Sequence, residues 1–171
     1  MWGKSNFFEE SVGIPLIIAG PDVPVGKVCK TPVSLIDIYP TILETANLSV
    51  ESRKPGRSLT KIANEQDNNG RVIFAEYHAM GSKSGGFMIR KGRWKYVHYV
   101  GMRSQLFDLE SDPEEMSDLG ETHNFTDITQ KLEAELRLIC NPEIVDKTAK
   151  SDQMEIIELN AGSKQLLKRV V

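Results

Sequence analysis

No run of apolar residues in this sequence is long enough to cross a membrane, and the first residues lack the apolar core of a secretory leader. Basic clusters are missing as well. The 21 lysines and arginines are scattered among 24 acids, and the net charge of −3 gives no electrostatic ground for nucleic acid or an anionic membrane as partner. Soft metal ligands are scarce: Cys29 and Cys140 stand far apart, and His78, His98 and His123 fall at no ligand spacing, which excludes a zinc cluster. Read as free thiols, the two cysteines favour a reducing compartment, so the cytoplasm is the expected location; an exported protein would need an address that this chain does not carry. What the 171 residues do contain, at 40% hydrophobic, is enough apolar material for one core.

That material is patterned in two ways. "IPLIIAG" (Ile14 to Gly20) is continuously apolar, as in a strand covered on both faces. "SLIDIYPTILETAN" has helical spacing at Ile38, Ile42, Leu43 and Ala46, with Asp37 as its expected N-cap and Pro40 in the first turn. Ser49 to Gly70 is polar and irregular, as in a surface connection. The period then changes to two. "RVIFAEYHA", "GFMIR", "RWKYVHYV" and "QLFDL" predict four short strands of an antiparallel sheet, with Lys91-Gly92 as a two-residue loop and "ESDPEE" as a solvated acidic turn. "DITQKLEAELRLI" predicts a helix capped by Asp127, with Gln130 at the capping-box position. Its apolar stripe of Ile128, Leu132, Leu136 and Ile139 faces the sheet. A helical tail is expected from about Glu143 to Leu167. Trp94, Tyr96 and Tyr99 suit core and cross-strand packing.

One doubly covered strand without a partner cannot stand alone in water, so the expected organisation is the end of something larger. Residues 1–70 would be the C-terminal remnant of a large α/β domain. Residues 71–171 would form a small antiparallel-sheet subdomain with a helical tail.

Three stretches, "WGKSNFFEESVGIPLIIAGP", "TPVSLIDIYPTILETAN" with the later "GRSL", and "RKGRWKYVHY" followed by "QLFDLESDPEEMSDL", taken in this order resemble the C-terminal part of the sulfatase family, within the alkaline phosphatase-like superfamily. The tail "LRLICNPEIVDKTAKSDQ" is similar to the ending of choline-sulfatase-like members. The resemblance implies an α/β fold overall, α+β in the part present: one outer strand and helix of the large sheet domain, then a four-stranded antiparallel sheet with a packed C-terminal helix. It implies sulfuric ester hydrolysis in the complete enzyme, on a small-molecule sulfate ester. It also implies a divalent cation (calcium or magnesium) held by hard oxygen ligands, and a formylglycine made from the cysteine of a Cys/Ser-x-Pro-x-Arg motif.

Neither of these last two falls on residues of this chain. Cys140-Asn141-Pro142-Glu143-Ile144 has the cysteine and proline, but Ile144 cannot supply the guanidinium, and the pentapeptide reads as a helix terminus with proline beyond it. No catalytic residue, bound cofactor or metal ligand is therefore expected here. Gly13 also stands where many relatives carry arginine before the Ile-Pro pair. By the resemblance, Lys4 is the lysine that reaches the bound sulfate group, where a fixed ammonium would stabilise charge on the ester oxygens. His78 ends the strand "FAEYH" before the small-residue loop "AMGSKSGG". It could contact substrate or donate a proton to the leaving group, or be a strand-end histidine satisfied by its neighbours.

Other functions are a phosphonate or phosphate monoester hydrolase of the same superfamily and, from a different class, a non-catalytic remnant or interaction module. The chain alone is expected to self-associate or to pair with a missing N-terminal part.

Overall fold

The computed structural model describes residues 5–79 and 82–160. Its α-helices are α1 (Glu9–Val12), α2 (Ile38–Thr45), α3 (Leu59–Asn64), α4 (Thr126–Ile139) and α5 (Pro142–Leu159). The strands β1 (Val72–Tyr77), β2 (Gly86–Lys91), β3 (Trp94–Tyr99) and β4 (Gln105–Asp108) form one antiparallel sheet in the order β1-β2-β3-β4. Lys91 pairs with Trp94, so the β2–β3 turn is Gly92-Arg93, one residue later than Lys91-Gly92. Gly92 takes the left-handed conformation at φ +56°, which glycine adopts without steric cost.

Both faces of the sheet are covered. Alternation along the strands puts Phe87, Ile89, Tyr96 and Leu106 on one face, where Leu132 and Leu136 of α4 pack against them as expected. Each such fully buried side chain is worth about 1.5–3 kcal/mol of transfer free energy. Met88 and Val97 point the other way and are covered by Phe7, with Val12, Ala75, Tyr77 and Tyr99 around them.

Several expectations are corrected. Ile14 to Gly20 forms no strand, and Ile17 is 93% exposed. A strand exists through the ladder of a neighbour, and among the described residues none lies beside it. The supposed connection from Ser49 to Gly70 contains α3, whose Leu59 and Ile62 are buried; one turn of apolar spacing was too short to announce a helix. In α4 the N-cap position is Phe125. Asp127 sits in the first turn instead, where a carboxylate still suits the helix dipole, and Ile139 is about half exposed. The tail helix runs Pro142–Leu159, capped by Asn141, whose side chain accepts from Ile144 N at 3.1 Å.

Asp37 is more than a cap. Its carboxylate is fully buried after a short 3-10 turn, Leu35–Asp37, and accepts four hydrogen bonds. Oδ1 takes Arg57 N at 2.8 Å and Arg71 Nη2 at 2.6 Å; Oδ2 takes Ser34 N at 2.8 Å and Arg71 Nη1 at 2.9 Å. Burial by itself would raise the Asp37 pKa. The Arg71 guanidinium and the two backbone N–H groups outweigh it, and the carboxyl lies below its ordinary range. Thr41 adds a second link, accepting from Leu59 N at 2.8 Å. Together these bonds tie α2 and α3 to the start of β1.

Candidate functional site

His78 follows β1 directly. Its ring stands edge-on to Phe87, with centroids 5.1 Å apart and planes at 72°, and its Nε2 lies 3.6 Å from a Glu76 carboxylate oxygen. The residue's carbonyl accepts from Gln153 of α5. Asp146 of α5 accepts from Gly85 N at 2.6 Å, and Lys150 donates to Ser82 O. Helix α5 is thus fastened to His78, Ser82 and Gly85 by three polar contacts. Both ring nitrogens of His78 are buried without a hydrogen-bond partner among the described residues. The ring packs on Phe87 with Glu76 beside it, but its nitrogens are not satisfied by those neighbours as those of a purely structural strand-end histidine would be. His98, which the alternation alone would leave on the sheet surface, is half-buried with Nε2 3.8 Å from Glu143. Burial lowers its pKa, with the Glu133 charge opposing.

Lys4 lies outside the described residues. The segment after it is well fixed. The Phe7 ring is buried over Gly86 and tilted against Tyr99, 6.3 Å centroid to centroid; a Cβ at position 86 would come within 2.6 Å of that ring, so only glycine fits. Phe8 packs on Phe107 at 5.8 Å. Beneath them is Lys95 of β3, 0% exposed. Its Nζ donates to Phe7 O at 2.9 Å and is ion-paired with Glu9 at 2.6 Å and Glu115 at 2.7 Å. Glu115 also accepts from Glu9 N at 2.6 Å, and Arg90 lies 3.3 Å from the Glu9 carboxylate. Two cations face two anions, so the cluster is electrically balanced.

This cluster was missed from the sequence, where "ESDPEE" looked like a wholly solvated turn. A signal was present: Lys95 shares its strand face with Val97 and Tyr99, both against the core. Two other acids, Asp108 at the end of β4 and Asp112 in the turn, are engaged locally. Asp108 is paired bidentately with Arg93, which pulls its pKa down to about 2, and Asp112 accepts from the backbone N–H of Met116 and Ser117. Arg93 also stacks over Trp94, 5.4 Å from the ring centre, and Trp94 packs on Phe125.

Among the described residues, no three His, Cys, Asp or Glu side chains are grouped so as to hold a metal ion. Cys140 does not suit a modified nucleophile either. It ends α4, and burial foremost, then the Glu76 charge, pushes its thiol pKa up, away from the reactive thiolate. Among the described residues, therefore, no group fits the cation and Cys140 does not fit the formylglycine, and no step is assigned to either.

A family model described as N-sulphoglucosamine sulphohydrolase, C-terminal, matches residues 1–141. The chain belongs to this sulfatase family. Its match is to the C-terminal domain, which agrees with the four-stranded sheet and packed helix above. Curated relatives agree. The sulfatase domain is 41% identical over 124 residues to the choline-sulfatase of Rhizobium meliloti, covering 71% of this chain and 24% of that protein. It is 32% identical over 149 residues to arylsulfatase K of Mus musculus, covering 81% of this chain and 27% of that protein. The sulfatase domain thus spans about a quarter of the length of these relatives. A solved phosphonate monoester hydrolase from Silicibacter pomeroyi has the same fold at 20% identity, with a TM-score of 0.67 over 82% of this chain and 32% of that one.

Proposed function

We propose that this chain forms the C-terminal part of a sulfatase that hydrolyses a small-molecule sulfate ester, with Lys4 contacting the sulfate group. The family match over residues 1–141 carries the reading, together with relatives whose names are those of sulfatases. The phosphonate monoester hydrolase neighbour supports the shared fold only. The cation and the formylglycine belong to the complete enzyme, and the role left to this chain is to hold the opening segment and its lysine against the ester. His78 is proposed as a packing residue beside that role.

The test is turnover. Joined to the part of the choline-sulfatase that precedes the matched region, the chain is expected to hydrolyse an aryl sulfate in preference to an aryl phosphonate monoester; alone it should hydrolyse neither. A preference for the phosphonate would move the assignment to the sister activity. Failure of the folded chimera on both substrates would favour a non-catalytic interaction module.

The proposal extends to pairing. Leu35, Ile36 and Ile42 are at least half exposed, as are Ile14 and Ile17. Leu16 and Ile17 also border a cleft of about 390 Å³ that reaches Leu59 and Ile62. Ile14, Leu16 and Leu35 line a second cleft together, and joined apolar surface of this kind supports an interface there. The chain alone is expected to self-associate in light scattering and to release an apolar dye on joining the missing part. A monodisperse monomer that binds no dye would contradict this.

A further inference from the structure

We infer that Lys95 and Glu115 are positioning residues for Lys4, acting through the segment Phe7–Glu9; this rests on the reading that Lys4 contacts the sulfate group. Two residues, Ser5 and Asn6, separate Lys4 from Phe7. The segment leads directly into α1. Here it is tied at three points to one ammonium and its partner: Phe7 O and Glu9 on Lys95, and Glu9 N on Glu115. The anchor is rigid, because β3 is paired on both sides, with Arg90 opposite Lys95 on β2 and Phe107 opposite it on β4.

Two features show that this cluster does more than fill space. A buried ion pair is seldom more stabilising than an apolar replacement of the same volume, so packing alone does not call for a lysine inside a strand. Glu115 also sits at φ +53°, a left-handed conformation that non-glycine residues adopt at a cost. That conformation brings its carboxylate under Glu9 N and beside Lys95 at once. The energy is spent on fixing the backbone direction of residues 7–9. A fixed direction is what a charge-stabilising lysine needs, since a misplacement of about 1 Å can cost on the order of a hundredfold in rate.

The test is a double-mutant cycle in the complete enzyme, with sulfate ester turnover read well below the melting temperature. Lys95→Met is expected to lower kcat/KM on the order of a hundredfold, chiefly through kcat. In a Lys4→Ala background the same substitution should change kcat/KM by less than about threefold, because both act through one contact. If the two losses multiply, or if Lys95→Met keeps its kcat/KM, the inference falls while the reading of Lys4 stands. If Lys4→Ala alone costs nothing, the reading of Lys4 falls and takes the inference with it.

Should Lys95→Met not fold, Glu115→Gln serves in the same cycle: it keeps an acceptor for Glu9 N and removes the charge. In the present chain, either variant should speed amide hydrogen exchange at residues 5–12 and leave β2 and β3 protected. Unchanged exchange at 5–12, or uniform loss across the sheet, marks a general structural role and overturns the assignment.

Discussion

Replacing Lys4 by alanine in the complete enzyme is expected to lower kcat/KM for a sulfate ester by on the order of a hundredfold to a thousandfold, with little change in melting temperature. Sulfate ester cleavage gathers negative charge on the sulfate oxygens and the leaving oxygen. One preorganised donor at such a position is worth about 3 kcal/mol in the transition state. A lysine that was only a solvated charge would change stability by about 0.5 kcal/mol at most, and turnover not at all. Lys4→Arg should rescue poorly, because a planar fork cannot take the place of a compact ammonium without displacing the ester. His78→Ala is the internal comparison. With its ring packed edge-on to Phe87, it should cost more in stability and less in turnover than Lys4→Ala. The decisive measurement is kcat/KM for the three variants beside their melting temperatures; near-normal kcat/KM in Lys4→Ala would reduce that residue to surface charge.

Arg71→Met is expected to be the most damaging single change to stability. It leaves the fully buried Asp37 carboxylate with two backbone donors and no countercharge. Breaking a buried pair in this way costs about 3–5 kcal/mol, or roughly 10 °C in melting temperature for a chain of this size. The pH dependence gives a second check. In the parent, the Asp37 pKa lies below its ordinary 3.8, so its contribution is present above that value and is lost as pH falls through the depressed one. In the variant, the Arg71 guanidinium no longer offsets burial and the pKa of Asp37 rises from its depressed position, so the penalty is fullest at neutral pH. The gap between parent and variant should narrow in thermal melts as pH is taken from 7 toward 4. A constant gap would mean that Arg71 acts by packing rather than by charge.

Much of this architecture was legible because its elements are local. The four strands announce themselves by period-two patterning, and α4 by a stripe whose Leu132 and Leu136 do reach the core. What was not legible depends on partners distant in sequence. Ile14 to Gly20 has the composition of a buried strand, but composition records a need for cover, not the presence of a neighbour. Lys95, Glu9 and Glu115 each look like ordinary surface charges until three separate parts of the chain are brought together. Asp37 looked like a helix cap because Arg71 is too far along the chain for any local pattern to suggest it. Lys4 is proposed on family resemblance alone, and no spacing rule would have singled it out.

The adjacent glycines 85 and 86 give the sheet two independent handles. Gly85 precedes β2 and Gly86 opens it: a methyl group at 85 would meet the His78 ring at 2.9 Å and Asp146 at 2.8 Å, while one at 86 would meet Phe7 at 2.6 Å. Alanine at the first position would therefore disturb the seat of the C-terminal helix, and alanine at the second the seat of the opening segment. One peptide bond divides the two attachments, so each can be loosened genetically with the other as its control.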